Sequence, residues 1–194
     1  MRALIALAAA GLALALGQDA PASDADDASG RSLYQLESAW TDDSGKALRL
    51  RDLGGGVQVL TLIYTSCPGA CPATVKALQM FQRGSKAAAR NTSFLLVTVD
   101  PERDTLEVLR RFRRDMQLEK EGWKLLRGSE SEVRKLAAVL GFNYEQIDSG
   151  EFVHSNLVTV LNARGEIVHQ QNGVDADSTA LKDAIQRAAI EDSQ

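Results

Sequence analysis

The sequence predicts an α/β domain built on a central mixed β-sheet flanked by helices. Two observations carry that prediction. Residues 57–64 (VQVLTLIY) and 93–100 (SFLLVTVD) are unbroken runs of β-branched and aliphatic residues, the composition of strands covered on both faces. The stretches that follow them carry apolar residues at helix spacing instead, so strand and helix alternate along the chain.

The elements follow in order. SLYQLESAW (32–40) and KALRL (46–50) flank Asp43-Ser44-Gly45 and are expected to pair as an N-terminal β-hairpin extension. Gly54-Gly55-Gly56 bounds the first buried strand, and residues 72–89 read as a helix with Val75, Leu78 and Phe81 on one face. Behind the second buried strand, residues 105–116 place Leu106, Leu109 and Phe112 at helix spacing, and WKLL (123–126) is a short strand. SESEVRKLAAVLG (129–141) is a helix with Ser129 as N-cap, Glu132 completing a capping box and Gly141 as stop. Residues 141–152 read as a long, polar, mobile loop leading to His154. NLVTVLNARGEIVHQ (156–170) is two strands turning at 162–165, and 177–190 is a closing helix begun by Asp177 or Ser178. Met80 and Met116 stand alone and are expected to fill core. The one basic cluster, Arg110 to Arg114, is expected to solvate a helix face.

The chain of 194 residues opens with Arg2 and an apolar, small-residue run to Gly17, the form of a secretory signal peptide over 1–17. Residues 18–30 are acidic and lack large apolar side chains, as a flexible tether does, which leaves 31–194 as one domain. The domain is expected to be periplasmic or otherwise exported. Cleavage is expected after Gly17, and the alternative is an uncleaved N-terminal anchor, the one route to membrane contact. A formal net charge of −4 and 5% aromatic residues argue against nucleic acid as a partner.

Both cysteines of the chain fall in YTSCPGACPATV (64–75), directly after the first buried strand and at the start of a helix. In open α/β sheets, ligands and chemistry gather at the carboxyl ends of the strands. The helix amino end stabilises a thiolate, so at least one of Cys67 and Cys71 is expected to have a lowered pKa. A structural disulfide is the ordinary reading of two cysteines in an exported protein, but so short a loop removes little unfolded-state entropy. A redox pair or a pair of soft metal ligands remains. A metal site needs a third ligand, which His154 offers from above the sheet end; His169 alternates with Ile167 on a strand surface. Two thiolates and an imidazole suit copper, particularly Cu(I), whereas a closed zinc site wants a fourth ligand.

YTSCPGACPATV, VTVDPERDT (97–105) and HSNLVTVLNARGEIV (154–168), in that order and spacing, resemble the SCO (SenC) family of thioredoxin-fold copper proteins. The resemblance covers about 33–190. It implies a thioredoxin-like fold and a copper chaperone that loads the dinuclear copper site of cytochrome c oxidase. By matching, Cys67, Cys71 and His154 become the copper ligands, and Cys67 and Cys71 a redox-active pair in members that act as thiol-disulfide reductants. The implied partners are a copper-accepting subunit of a respiratory oxidase, an upstream copper donor and a thiol reductant. Transfer would proceed by ligand exchange, with the 141–152 loop contributing to the contact face. The sequence departs from the family at Gly69-Ala70 and at Val153, where members often carry acidic residues.

Asp100, at the end of the second core strand, either approaches the site as an acceptor or weak ligand behind the cysteines, or ends the strand with Pro101. Asp104 or Thr105 is expected to cap the next helix. Two functions stay open: a copper metallochaperone, and a periplasmic thiol-disulfide oxidoreductase using the Cys67/Cys71 pair. A peroxidase is the weakest reading, because YTSC lacks the proline and spaced threonine of a peroxiredoxin site. His154 discriminates the first two, since a dithiol reductase has no need of it.

Overall fold

The computed structural model describes residues 32–85, 91–118, 122–174 and 178–191. The expected signal peptide, the tether, the end of the 72–89 helix and Asp177 lie outside these residues. Among the described residues no helix is long and apolar enough to cross a membrane.

Strands β1 (Trp40–Asp42), β2 (Ala47–Leu48), β3 (Val57–Ile63), β4 (Thr92–Thr98), β5 (Trp123–Arg127), β8 (Leu157–Leu161) and β9 (Ile167–Asn172) form one seven-stranded sheet in the order β2-β1-β5-β4-β3-β8-β9. The centre is parallel, β3 with β4 and β4 with β5, and the flanks are antiparallel. Parallel neighbours require crossovers, and α1 (Ala70–Gly84) and α2 (Leu106–Asp115) supply them. Helices α3 (Glu130–Leu140) and α4 (Thr179–Glu191) complete the cover. All seven residues of β3 are buried, which requires layers on both faces of the sheet, as its continuous apolar run predicts. Trp40, Trp123, Phe81 and Phe94 are the largest fully buried side chains, and the Phe94 and Trp123 rings stack at 4.7 Å. Burying each such side chain is worth roughly 1.5–3 kcal/mol. The mixed sheet flanked by helices is thus the predicted α/β, thioredoxin-like architecture.

Local signals hold where they are chemical. Ser129 and Glu132 form the predicted capping box, and Gly141 ends α3 at φ 67°, in the left-handed region open to glycine. Gly165 closes the β8–β9 turn at φ 78° under the ring of Tyr34, where a Cβ would stand 2.6 Å from Cγ. Thr105 caps α2.

Other expectations are corrected. The N-terminal hairpin is shorter than predicted: residues 33–35 form a 3-10 turn capped by Ser32, and Leu50 opens a second such turn. Met80 is 57% exposed rather than core, because the buried face of α1 is already filled by Val75, Leu78 and Phe81. The basic cluster does more than solvate a helix. Arg113 makes a two-pronged, largely buried ion pair with Asp43 and donates to the Trp123 carbonyl, while Arg110 donates to the Asp43 carbonyl. The cluster therefore ties α2 to the N-terminal hairpin. The 141–152 loop contains a second, two-stranded antiparallel sheet, β6 (Tyr144–Gln146) with β7 (Phe152–His154). Its strands are three residues each and turn at 147–150, too short for alternation to reveal.

Candidate metal centre

The cysteines sit where β3 gives way to α1. Cys67 N–H returns to the Tyr64 carbonyl at 3.3 Å, turning the chain, and the helix begins with Gly69 as a cap that has no side chain to offer. The orphan amide of Cys71, in the first turn, donates to Cys67 Sγ at 3.3 Å. The sulfur thus does the work of a capping oxygen. Burial alone would oppose its ionisation. The N–H groups of Cys71 and Gly69, helped by the Cys71 side chain, overcome that and bring Cys67 down to about 7. Cys71 goes the other way. Burial pushes it up to about 12, eased by the Tyr64 backbone and reinforced by Cys67 and Asp104. One cysteine of the pair therefore ionises near neutrality and the other stays a thiol. Both are free thiols.

His154 is the last residue of β7. Its Nδ1 lies 2.7 Å from the Ser155 carbonyl, which can only accept, so Nδ1 carries the proton and the Nε2 lone pair is left free. That lone pair faces Cys71 Sγ at 3.5 Å. Phe142 stacks on the imidazole at 5.9 Å and Tyr64 meets it edge-on at 5.7 Å, so the ring is held from two sides. Just past it, Asn156 accepts from Thr74 of α1 at 2.7 Å, fastening the histidine segment to the cysteine helix.

The structure brings Cys67, Cys71 and His154 together: their donor atoms all lie within 4.8 Å of one another. His169 stays on β9, against Gln171. Asp100 is buried at the end of β4, where its carboxylate pairs with Arg103. The carboxylate that instead reaches the cysteine loop is Asp104, which does not cap α2. It accepts from the Thr65 amide at 3.1 Å and from the Thr65 and Thr98 hydroxyls. Burial raises its pKa against those hydrogen bonds, with Asp100 adding to the rise. Tyr64, Phe142, Thr74, Asn156 and the role of Asp104 were not identified in the sequence. All but Phe142 stood in the motifs quoted above, and nothing in the local pattern says which of their side chains turn toward the site. Two soft sulfurs and one imidazole nitrogen, with one sulfur readily ionised, are a donor set for a soft, low-coordinate cation.

The Bacillus subtilis (strain 168) SCO1 protein homolog is 26% identical over 156 residues, 78% of this chain and 80% of the relative. A solved Aquifex aeolicus VF5 protein with a proposed electron-transfer role superposes with a TM-score of 0.73 at 26% identity, covering 81% of this chain and 92% of that one. Arabidopsis thaliana ScoI, solved with copper bound, superposes with a TM-score of 0.70 at 21% identity over 77% and 96% of the two chains, a likeness of fold. The sequence profile of the SCO1/SenC family matches residues 27–189, and the chain belongs to that family.

Proposed function

We propose that this protein is a copper metallochaperone that holds one copper ion, as cargo, between Cys67, Cys71 and His154 and delivers it to a copper-accepting subunit of a respiratory oxidase. The observation that carries the reading is the convergence of those three donor atoms within 4.8 Å. Membership of the SCO1/SenC family and the copper seen in Arabidopsis ScoI support it. The ligand chemistry fits a carrier. Three protein ligands leave coordination positions open, so incoming thiolates of an acceptor displace His154 and the cysteines stepwise without releasing free copper. We assign residues 1–17 to an export signal or anchor and 18–30 to a tether, consistent with a domain that is periplasmic or otherwise exported.

A second reading has its own support: a thiol-disulfide oxidoreductase. The split pair, with Cys67 near 7 and Cys71 near 12, is the asymmetry an attacking and a resolving thiol need. The Aquifex relative's proposed electron-transfer role points the same way. A fixed imidazole with its lone pair on the cysteines favours the metal reading, since disulfide exchange has no use for it.

A deletion strain grown under copper limitation separates the two. Loss of cytochrome c oxidase activity that added copper restores is the expected result. Normal oxidase activity with a shift of periplasmic thiols towards oxidation would replace the chaperone by the reductase.

A further inference from the structure

The segment 100–105, DPERDT, grips the site from two sides. Asp104 holds Thr65, two residues before Cys67. Arg103 reaches the opposite way. Its Nε pairs with Asp100, its Nη2 donates to the Gly150 carbonyl at the tip of the β6–β7 hairpin, and its guanidinium carbon lies 5.6 Å from the centroid of the Phe152 ring. Phe152 and His154 alternate on β7, so they share a face, and both meet Tyr64 edge-on, at 5.2 and 5.7 Å.

The hairpin shares no ladder with the main sheet, so side-chain contacts and its base decide where it lies. At the base, Ser155 and Asn143 exchange hydrogen bonds of 2.8 and 3.1 Å. On β7 the Tyr64 hydroxyl donates to the Phe152 carbonyl at 3.4 Å, and at the tip Arg103 makes contact. Its side chain is 46% exposed, so the ion pair with Asp100 contributes little stability by itself. What the pair does is aim the guanidinium. A planar fork engages a carboxylate on one edge, a carbonyl on another and an aromatic ring at the same time, which an ammonium does not.

We propose that Arg103 is a positioning residue for the metal site: anchored by Asp100, it holds the β6–β7 hairpin by the Gly150 carbonyl and the Phe152 ring, and thereby sets His154 against Cys67 and Cys71. The inference rests on the copper reading above. It also gives Asp100 a task, as the anchor of Arg103.

The test is Cu(I) affinity, measured by competition with a chromophoric chelator, for wild type, Arg103→Ala, His154→Ala and the double variant of the full chain. Each single variant is expected to bind about 10–100-fold more weakly. The double variant is expected to be no weaker than His154→Ala, because a residue that acts only through the histidine has nothing left to position. Hydrogen exchange on the metal-free protein supplies a second readout: amides of 144–154 exchange faster in Arg103→Ala, while those of β3 and β4 keep their protection. Wild-type affinity in Arg103→Ala, losses that multiply in the double variant, or loss of protection across β3 and β4 would overturn the role of Arg103 and leave the copper reading standing. Wild-type affinity in His154→Ala would remove the copper reading, and this inference with it.

Discussion

Cys71 Sγ and His154 Nε2 stand 3.5 Å apart although 83 residues separate them in the chain. The approach is built from both ends. Cys71 is fixed by the first turn of α1, and His154 by the β6–β7 hairpin, the Ser155 carbonyl and the rings of Phe142 and Tyr64. Neither side chain has to be drawn in by a metal to face the other, so little ordering entropy is left for binding to overcome.

The two thiols should differ in reactivity. Thiolate, not thiol, is alkylated, so the rate at Cys67 is expected to rise with pH through a midpoint of about 7, whereas Cys71, held up to about 12, stays unreactive at neutral pH. Iodoacetamide labelling of metal-free protein from pH 5 to 10, read by peptide mass spectrometry, checks this. Preferential labelling of Cys71 would reverse the assignment of the two sulfurs.

Oxidation should close the site. A disulfide between Cys67 and Cys71 replaces two thiolates by poor ligands, so diamide-treated protein with no free thiol is expected to bind no copper tightly and to recover binding after reduction. Stoichiometric loading of the oxidised protein would mean that the sulfurs are not the ligands.

Asp104 should matter to stability as well as to the site. Removing its carboxylate in Asp104→Ala takes the acceptor from the buried Thr98 hydroxyl and from the half-buried Thr65, at a cost of about 2–3 kcal/mol, or roughly 5–10 °C in Tm for a domain of this size. Asp104→Asn keeps an acceptor and should lose less. Thermal unfolding followed by circular dichroism decides; an Ala variant as stable as wild type would remove the carboxylate from the frame of the cysteine loop.

Asp43→Asn tests the N-terminal attachment. Halving the two-pronged pair with Arg113 should cost about 1.5–3 kcal/mol in urea unfolding and leave copper affinity unchanged, because neither residue touches the site. A change in copper affinity at constant stability would be unexpected.

What the sequence made legible follows from range. The β3 and β4 runs, the Ser129-Glu132-Gly141 boundaries of α3 and the paired cysteines are written in consecutive or nearly consecutive residues, where local chemistry decides the outcome. The SCO resemblance then linked His154 to them across 83 residues. The β6–β7 hairpin escaped notice because three-residue strands carry too little alternation. Arg113 escaped because a charged residue reads as solvated until a tertiary contact turns it inward, as Asp43 does; Asp104 escaped because it read as a helix cap, and Arg103 because its partner Gly150 lies 47 residues away in the chain. Met80 failed in the opposite sense, since a methionine at helix spacing reads as core and this one faces out.

The central claim is that three side chains make one copper site, and X-ray absorption at the copper edge of anaerobically Cu(I)-loaded protein addresses it most directly. The account predicts two sulfur scatterers and one imidazole nitrogen in wild type, with the nitrogen gone and both sulfurs kept in His154→Ala. An identical spectrum for wild type and His154→Ala would contradict it.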